Sequence, residues 1–207
     1  MNFSLAGNKI CGYLPKEIEL QVLSISINNI TGEIPKNIVC LSKLEEFYIG
    51  DNPIKGTIPI SLANISTLQC VDSIGNCLEG SIPPELGKLS NLRRLIFGQN
   101  YNLIGQITEA IFNISSFGRT NFNFINLSGI IPATTVLNLP NLEQLILVGN
   151  QLEWEIPLFI TNASKLETLE LSSNILKGTI PTTLGNLREL HGLMYMYCLI
   201  PMHGAII

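Results

Sequence analysis

Histidine is nearly absent from this chain, and so is every residue cluster that would carry out chemistry. His191 and His203 are the only two histidines among 207 residues. Neither stands at informative spacing from a nucleophile and an acid, so acid–base catalysis has no candidate. No G-x-G-x-x-G, H-R-D or D-F-G segment occurs, which leaves the chain without kinase machinery. Asp72 and Glu170 fall four repeat units apart, about 19 Å at strand spacing, too far to share a proton. Cysteine is odd in number, five in all, and its spacings match no zinc pattern. Cys70 and Cys77 bracket an extended segment and lie roughly 20 Å apart, well beyond the ~7 Å a disulfide spans. Cys11, Cys40 and Cys198 occupy unrelated positions, so all five are expected to be free. Charged residues make up only 14%, with a net charge of −4 and no Lys/Arg block. Nucleic acid is therefore excluded as a partner. No apolar run reaches the 18 residues of a membrane span, and no basic stretch followed by an apolar one opens the chain. Neither a transmembrane segment nor a secretory leader is expected here, and no metal or cofactor.

What the chain has instead is a period. Ile-Pro returns at Ile34-Pro35, Ile58-Pro59, Ile82-Pro83, Ile131-Pro132, Ile156-Pro157 and Ile180-Pro181, with Leu14-Pro15 and Ile107-Thr108 as diverged copies. Most intervals are 24 or 25 residues. Seven residues before most of the Pro anchors stands an Asn: Asn8, Asn28, Asn52, Asn76, Asn150 and Asn174. A fixed period of this length marks stacked units that share one core. Each unit reads L-x-x-L-x-L-x-x-N-x-L-x-G-x-I-P-x-x-L-x-x-L, as in Leu166, Leu169, Leu171 and Asn174. The L-x-L pair alternates like a strand with one buried face. The Asn amide can donate to and accept from backbone groups left unpaired by the turn, so stacked Asn residues should form a ladder. Gly32, Gly56, Gly80, Gly105, Gly129 and Gly178 mark tight backbone. The Pro opens a short helical turn, and Ile38, Leu62, Leu86, Ile111, Ile160 and Leu184 return to the core. At 46% hydrophobic, the chain has ample material for one continuous core.

The L-x-G-x-I-P segment, at Asn29–Pro35, Pro53–Pro59 and Ile175–Pro181, resembles the plant-type leucine-rich repeat of cell-surface receptor kinases and receptor-like proteins. The wording from Gly80 to Leu89 is most similar to the subfamily that includes the flagellin and elongation-factor receptors. The resemblance covers residues 3–197. It implies an α/β solenoid: a right-handed superhelix with a parallel β-sheet on the concave face and short helical turns and loops on the convex face. About eight 24-residue repeats would fill residues 1–197, uncapped, followed by an irregular apolar tail at 198–207. The paired cysteines that cap such ectodomains are absent. The implied function is perception of a peptide or protein ligand, in signalling or innate immunity, with a co-receptor kinase that carries a short leucine-rich-repeat ectodomain. The parent protein would stand on the extracellular face of the plasma membrane, and this chain is not expected to be an enzyme. Two alternatives are an extracellular inhibitor of pectin-degrading enzymes and an intracellular scaffold.

Residues flanking the buried L-x-L should point outward on the concave side. The candidate ligand-binding set is Glu46, Tyr48, Asp72, Arg94, Ile96, Arg119, Asn121, Gln144, Ile146 and Glu170, with Cys70, Ile74, Val148 and Thr168 beside them. Arg94 and Arg119 share a column on consecutive units and suit a carboxylate. Ile96, Ile146 and Val148 offer an apolar strip. Six N-x-[ST] sequons fall at Asn2, Asn29, Asn64, Asn113, Asn126 and Asn162. Asn64, Asn113 and Asn162 recur every 49 residues, on one edge of every second unit. Some units depart from the pattern. Trp154 replaces the Gly, Ser73 and Thr120 replace core aliphatics, Ile125 stands where Asn belongs, and Asn100 is followed by one extra residue. Local irregularity is expected at 14–22 and 98–127. Strands are expected at 22–26, 46–50, 70–74, 94–98, 119–123, 144–148 and 168–172. The chain opens inside a unit and ends in an aromatic, apolar stretch, which predicts self-association of the isolated solenoid.

Overall fold

In the regular unit, three apolar side chains and one asparagine amide point to the same interior, and stacking the units joins these into a single column of core. The structure, a computed structural model, describes residues 1–12, 19–132 and 139–194. Nine parallel strands form the main sheet, in chain order from Asn2–Ser4 through Val22–Ser24, Glu46–Tyr48, Cys70–Asp72, Arg94–Ile96, Arg119–Asn121, Gln144–Ile146 and Thr168–Glu170 to Gly192–Met194. Each pairs in register with the same position of the next unit, as Glu46 with Cys70 and Cys70 with Arg94. The strands are three residues long, two fewer than the pattern suggests. Backbone bonding nevertheless runs on past them: Ile49 N donates to Asp72 O and Asp51 N to Ile74 O, at 2.8 and 2.7 Å.

The chain then turns, and the turn requires left-handed backbone just before the asparagine. Gly75 and Gly149 supply it freely, but Ile27, Asp51, Gln99, Phe124 and Ser173 hold φ between 51 and 60° without being glycine. Left-handed backbone is disfavoured for side-chain-bearing residues, most of all for β-branched Ile27. The asparagine secures the turn. Asn52 Nδ2 donates to Ile49 O, Gly50 O and, one unit back, Ile25 O, at 3.0–3.1 Å. Its Oδ1 accepts Ile30 N at 3.0 Å. Asn28, Asn76, Asn150 and Asn174 repeat this pattern, and Asn100 joins them. The predicted ladder is present, and its members from Asn28 on are buried. Each such bond contributes about 1 kcal/mol net, and each buried donor stripped of its partner costs 1–3.

A second parallel sheet follows the ladder, which the repeat pattern did not predict. Its six strands run from Lys55–Thr57 to Ile175–Leu176, and a separate pair joins Cys11–Gly12 to Asn29–Ile30. Except where Trp154 stands, the glycine after these L-x pairs is left-handed, with φ of 79° at Gly56 and Gly178. A Cβ at Gly56 would come within 2.8 Å of the Glu33 side chain of the unit before it. Among the described residues, single helical turns lie on the convex side at Lys36–Cys40, Ile60–Asn64, Pro84–Lys88, Leu158–Asn162 and Thr182–Asn186. Ile38, Leu62, Leu86 and Ile160 on these turns are all buried. The unit after Asn100 uses a short α-helix, Glu109–Phe112, instead. The expected irregularity at 98–127 thus includes this altered turn, beside the extra residue after Asn100 and the buried Ile125 in place of an asparagine. Of the irregularity expected at 14–22, residues 14–18 lie outside the described residues, as do the 198–207 tail, Cys198 and His203.

Candidate functional site on the concave face

Register, more than any single residue, places the candidate side chains. The first outward column runs Val22, Glu46, Cys70, Arg94, Arg119, Gln144 and Thr168. The second runs Ser24, Tyr48, Asp72, Ile96, Asn121, Ile146 and Glu170. All ten candidate residues stand in these two columns, each half-buried by its neighbours. Cys70 departs from expectation: it is only 3% exposed. Tyr48 and Arg94 flank it, and burial pushes its thiol pKa up to about 11. Cys11, Cys40, Cys70 and Cys77 are all free thiols. A third column, Ser26, Gly50, Ile74, Gly98, Asn123, Val148 and Ser172, alternates size in its first half. A Cβ on Gly98 would fall on Asn123 Oδ1, and one on Gly50 would meet Ile74 Cγ2 at 2.9 Å. These glycines leave room for their larger neighbours to lie flat across the sheet.

Charge is arranged in bands along the solenoid. The early units are acidic. The Tyr48 hydroxyl donates to Glu46 Oε2 at 2.8 Å. Burial, followed by that bond to Glu46, raises the tyrosine pKa well above its usual value. Burial also raises the Asp72 pKa, opposed by the Ile74 N–H at 3.2 Å and by Arg94. The middle units are basic. Arg94 and Arg119 are register partners, as the spacing predicted. Arg93 precedes Arg94 on the flank of the sheet, in a row with Gln69, Gly118, Glu143 and Glu167. On this flank lies a pocket of about 380 Å³ lined by Arg93, Arg94, Ser116, Gly118, Arg119, Asn141 and Glu143. Arg119 Nε donates to Glu143 Oε2 at 2.7 Å. Arg94 Nε is buried and has no hydrogen-bond partner. Sequence reasoning missed Arg93, Gly118 and Glu143 because they precede the strand. The signal was present all the same: the two x positions of L-x-x-L form adjacent columns. A wider hollow of about 730 Å³ lies in the seam between the turns at Ile58–Ser61 and Pro83–Glu85, with only Lys36 and Glu85 charged. It lacks converging polar groups, so the concave face is the better candidate.

All six sequon asparagines are exposed. Asn64 and Asn162 end helical turns, and Asn113 caps the Glu109–Phe112 helix, so the three share one edge. Asn29 and Asn126 begin strands of the minor sheets, and Asn2 stands in the first concave strand. Asn126 Nδ2 donates to Tyr101 O at 2.5 Å. The side chain of Trp154 lies outside the described residues. Among the described residues, no helix is long and apolar enough to cross a membrane.

Comparison with known proteins places this geometry. The Leucine Rich Repeat family model matches residues 19–41, 43–65 and 165–187. The kinase-like protein TMKL1 of Arabidopsis thaliana is 42% identical over 62 residues, 29% of this chain and 9% of that protein. The structure of the plant peptide hormone receptor RGFR1 in complex with RGF2 is similar with a TM-score of 0.85 and 33% identity, over 93% of this chain and 32% of that one. The Arabidopsis receptor kinase HAESA, in complex with the peptide hormone IDA and the co-receptor SERK1, gives a TM-score of 0.85 and 30% identity, over 92% and 32%. The chain spans about a third of these two solved structures.

Proposed function

We propose that this chain, a plant-type leucine-rich-repeat solenoid, is a ligand-binding stretch of the extracellular part of a plant cell-surface receptor. Its ligand is a peptide or protein held along the concave sheet, and signalling passes through a co-receptor kinase. The observation that carries this reading is the banding of the concave face. Glu46 and Asp72, then Arg94 and Arg119, then Ile146 and Val148, then Glu170 follow one another along the sheet, at about 4.8 Å per unit. An extended chain laid across the columns meets a different chemistry at each step, which is how many small contacts give selectivity. The two receptor structures named above are of complexes with peptide hormones, which supports the same class of ligand for this chain. The exposed sequons fit an extracellular setting. Secreted from plant or insect cells, the chain should run above 22.7 kDa and drop on deglycosylation. Unmodified Asn64, Asn113 and Asn162 in a peptide map would overturn that setting.

The test of the binding reading is selection of peptides from a random library on the immobilised chain, followed by affinity measurement. Reversing Arg94 and Arg119 to Glu should weaken the selected peptides by about 1–3 kcal/mol per contact, with circular dichroism unchanged. Equal affinity in the double variant removes both residues from the site. Failure to select any peptide counts against the reading itself.

A further inference from the structure

One corner of the solenoid leaves large apolar side chains in water, and a sequon stands among them. Tyr101, Ile104 and Phe124 are 64%, 55% and 44% exposed, on the lateral side where the second sheet follows the ladder. Asn126 sits between them. Ile104 is its register partner in the unit before, so the two side chains emerge side by side from one face of the sheet. Asn126 Nδ2 donates to Tyr101 O at 2.5 Å, which holds the amide beside the insertion that follows Asn100. On the other side, Phe124 precedes Asn126 by two residues, in left-handed backbone with φ of 51°. Its ring lies across Gly149 of the following unit, where a Cβ would stand 2.3 Å from Cδ1, so the glycine makes room for the ring. Asn29 holds the same place in its own unit and serves as the comparison. There the register partner is Cys11, and the left-handed residue two positions earlier is Ile27.

We propose that Asn126 carries an N-linked glycan whose first N-acetylglucosamine packs on Phe124, Tyr101 and Ile104 and closes this corner of the solenoid. The inference rests on the extracellular reading proposed above and goes past it, since the sugar becomes a packed part of the fold. Phe124-Ile125-Asn126-Leu127-Ser128 supplies acceptor and platform within five consecutive residues. The electron-rich face of an aromatic ring attracts the polarised C–H groups of a sugar, and the same contact takes apolar surface out of water. Left bare, three exposed apolar side chains around one polar amide would invite association. Attachment takes place on the emerging chain. Asn126 Nδ2 attacks the anomeric carbon of the first N-acetylglucosamine of a polyprenyl-pyrophosphate oligosaccharide. The C1–O bond breaks, the lipid pyrophosphate leaves with the electron pair, and Nδ2 gives up one of its two protons. The other proton remains for Tyr101 O, so the glycosylated side chain keeps the bond that orients it.

The test secretes the whole chain from insect cells and maps its peptides. Asn126 should be modified. The N-acetyl methyl and ring-proton resonances of its first sugar should lie upfield of those on Asn29, shifted by the rings of Phe124 and Tyr101. Ser128→Ala removes the sequon and keeps Asn126. It should lower the melting temperature of the secreted chain by about 2–4 °C, the size of one aromatic contact in a chain of this length. The same substitution in the bacterially produced chain, which carries no glycan, gives its own effect, and this is subtracted. Phe124→Ala should move the sugar resonances to the Asn29 positions and cancel most of the Ser128→Ala difference. Trimming to a single N-acetylglucosamine with an endoglycosidase should keep the stabilisation. The proposal is overturned if Asn126 is unmodified, if its sugar resonances match those on Asn29, or if the glycan leaves the melting temperature unchanged. Asn64, Asn113 and Asn162 modified beside a bare Asn126 would reject this inference and leave the extracellular reading standing. A chain bare at every sequon would reject both. A packed glycan on a chain that selects no peptide would keep this inference and reject peptide perception.

Discussion

Two neighbouring stretches of the solenoid solve the same problem with different atoms. In the regular unit around Asn76, the side-chain amide does the work: Oδ1 accepts Ile54 N at 3.1 Å, and Nδ2 donates to Ile49 O, Ser73 O and Ile74 O. In the unit that should have an asparagine at 125, Ile125 is fully buried and offers no amide. The group it would have served, Leu103 N, donates instead to Asn100 O at 3.0 Å. That bond is available because one extra residue follows Asn100. The insertion at 101–102 and the loss at 125 are thus two halves of one adjustment. What the solenoid conserves from unit to unit is the pairing of buried backbone groups, and residue identity yields to it.

The comparison breaks most sharply at Asn76. The carbonyls of Ile49, Ser73 and Ile74 each keep a second donor, from Asn52, Asn100 and Asp51. Ile54 N keeps none. Asn76→Ala should therefore cost about 3 kcal/mol in chemical denaturation, from one orphaned donor, the lost bonds and a small void. A cost below about 1 kcal/mol would mean that water replaces the ladder. The irregular unit allows a finer test. Deleting Tyr101 restores the common unit length but leaves Leu103 N without a partner, at a cost of about 2 kcal/mol. Adding Ile125→Asn to the deletion should recover most of it, although Ile125→Asn alone should destabilise by burying an unmatched amide. Additive effects in this double-mutant cycle would separate the two changes.

The regular unit was legible from its residues because each of its constraints has a residue type attached: leucine spacing, asparagine, glycine and proline. The irregular unit showed only as two separate departures, at 100–101 and at Ile125. Nothing in the pattern says that they compensate, since that depends on a backbone bond made by Leu103 and Asn100. The same limit applies elsewhere. The second sheet is backbone pairing between short stretches such as Lys55–Thr57 and Cys77–Gly80, which have no alternation to reveal them. The left-handed turn was read at the later glycines and missed at Ile27, Asp51 and Ser173, where the ladder enforces it. At the site, the two columns followed directly from strand period, and the ten candidate residues stand in them. Burial of Cys70 and capture of Arg119 by Glu143 depend on side-chain contacts between units, which no single unit displays.

Each stretch also carries one hydroxyl in its core, and the two differ in the same way. Ser73 is fully buried, and its Oγ meets Asn76 Nδ2 at 3.2 Å. Thr120 is 1% exposed, and its Oγ1 has no partner. Thr120→Val removes that unmatched group at nearly constant shape. It should stabilise the chain by about 1 kcal/mol, whereas Ser73→Ala should be destabilising. Equal signs in the two melting shifts would show that the hydroxyl of Thr120 is satisfied in solution.

The smallest expected effect is set by pH, at a position the two stretches share. Asp72 Oδ1 accepts Ile74 N at 3.2 Å, and Asn121 Oδ1, two units on, accepts Asn123 N at 3.0 Å. The bond to the backbone therefore needs only a carbonyl oxygen, and the charge on Asp72 is an addition to it. Burial raises the Asp72 pKa above its ordinary value, an effect that Arg94 offsets only in part and Asp51 reinforces. A carboxyl whose pKa is higher folded than unfolded binds its proton more tightly in the native state. Its contribution is fully present below the unfolded value of about 3.9 and is lost as pH rises through the folded value. At neutral pH the ionised Asp72 is thus a net burden on the fold. Asp72→Asn keeps the bond to Ile74 and removes the charge. It should raise the melting temperature at pH 7, and the gain should shrink as pH falls through the raised Asp72 pKa toward about 4. A gain independent of pH would place its origin in packing. A loss at pH 7 would mean that the attraction to Arg94 outweighs burial, and that the acidic band of the concave face contributes to stability as well as to recognition.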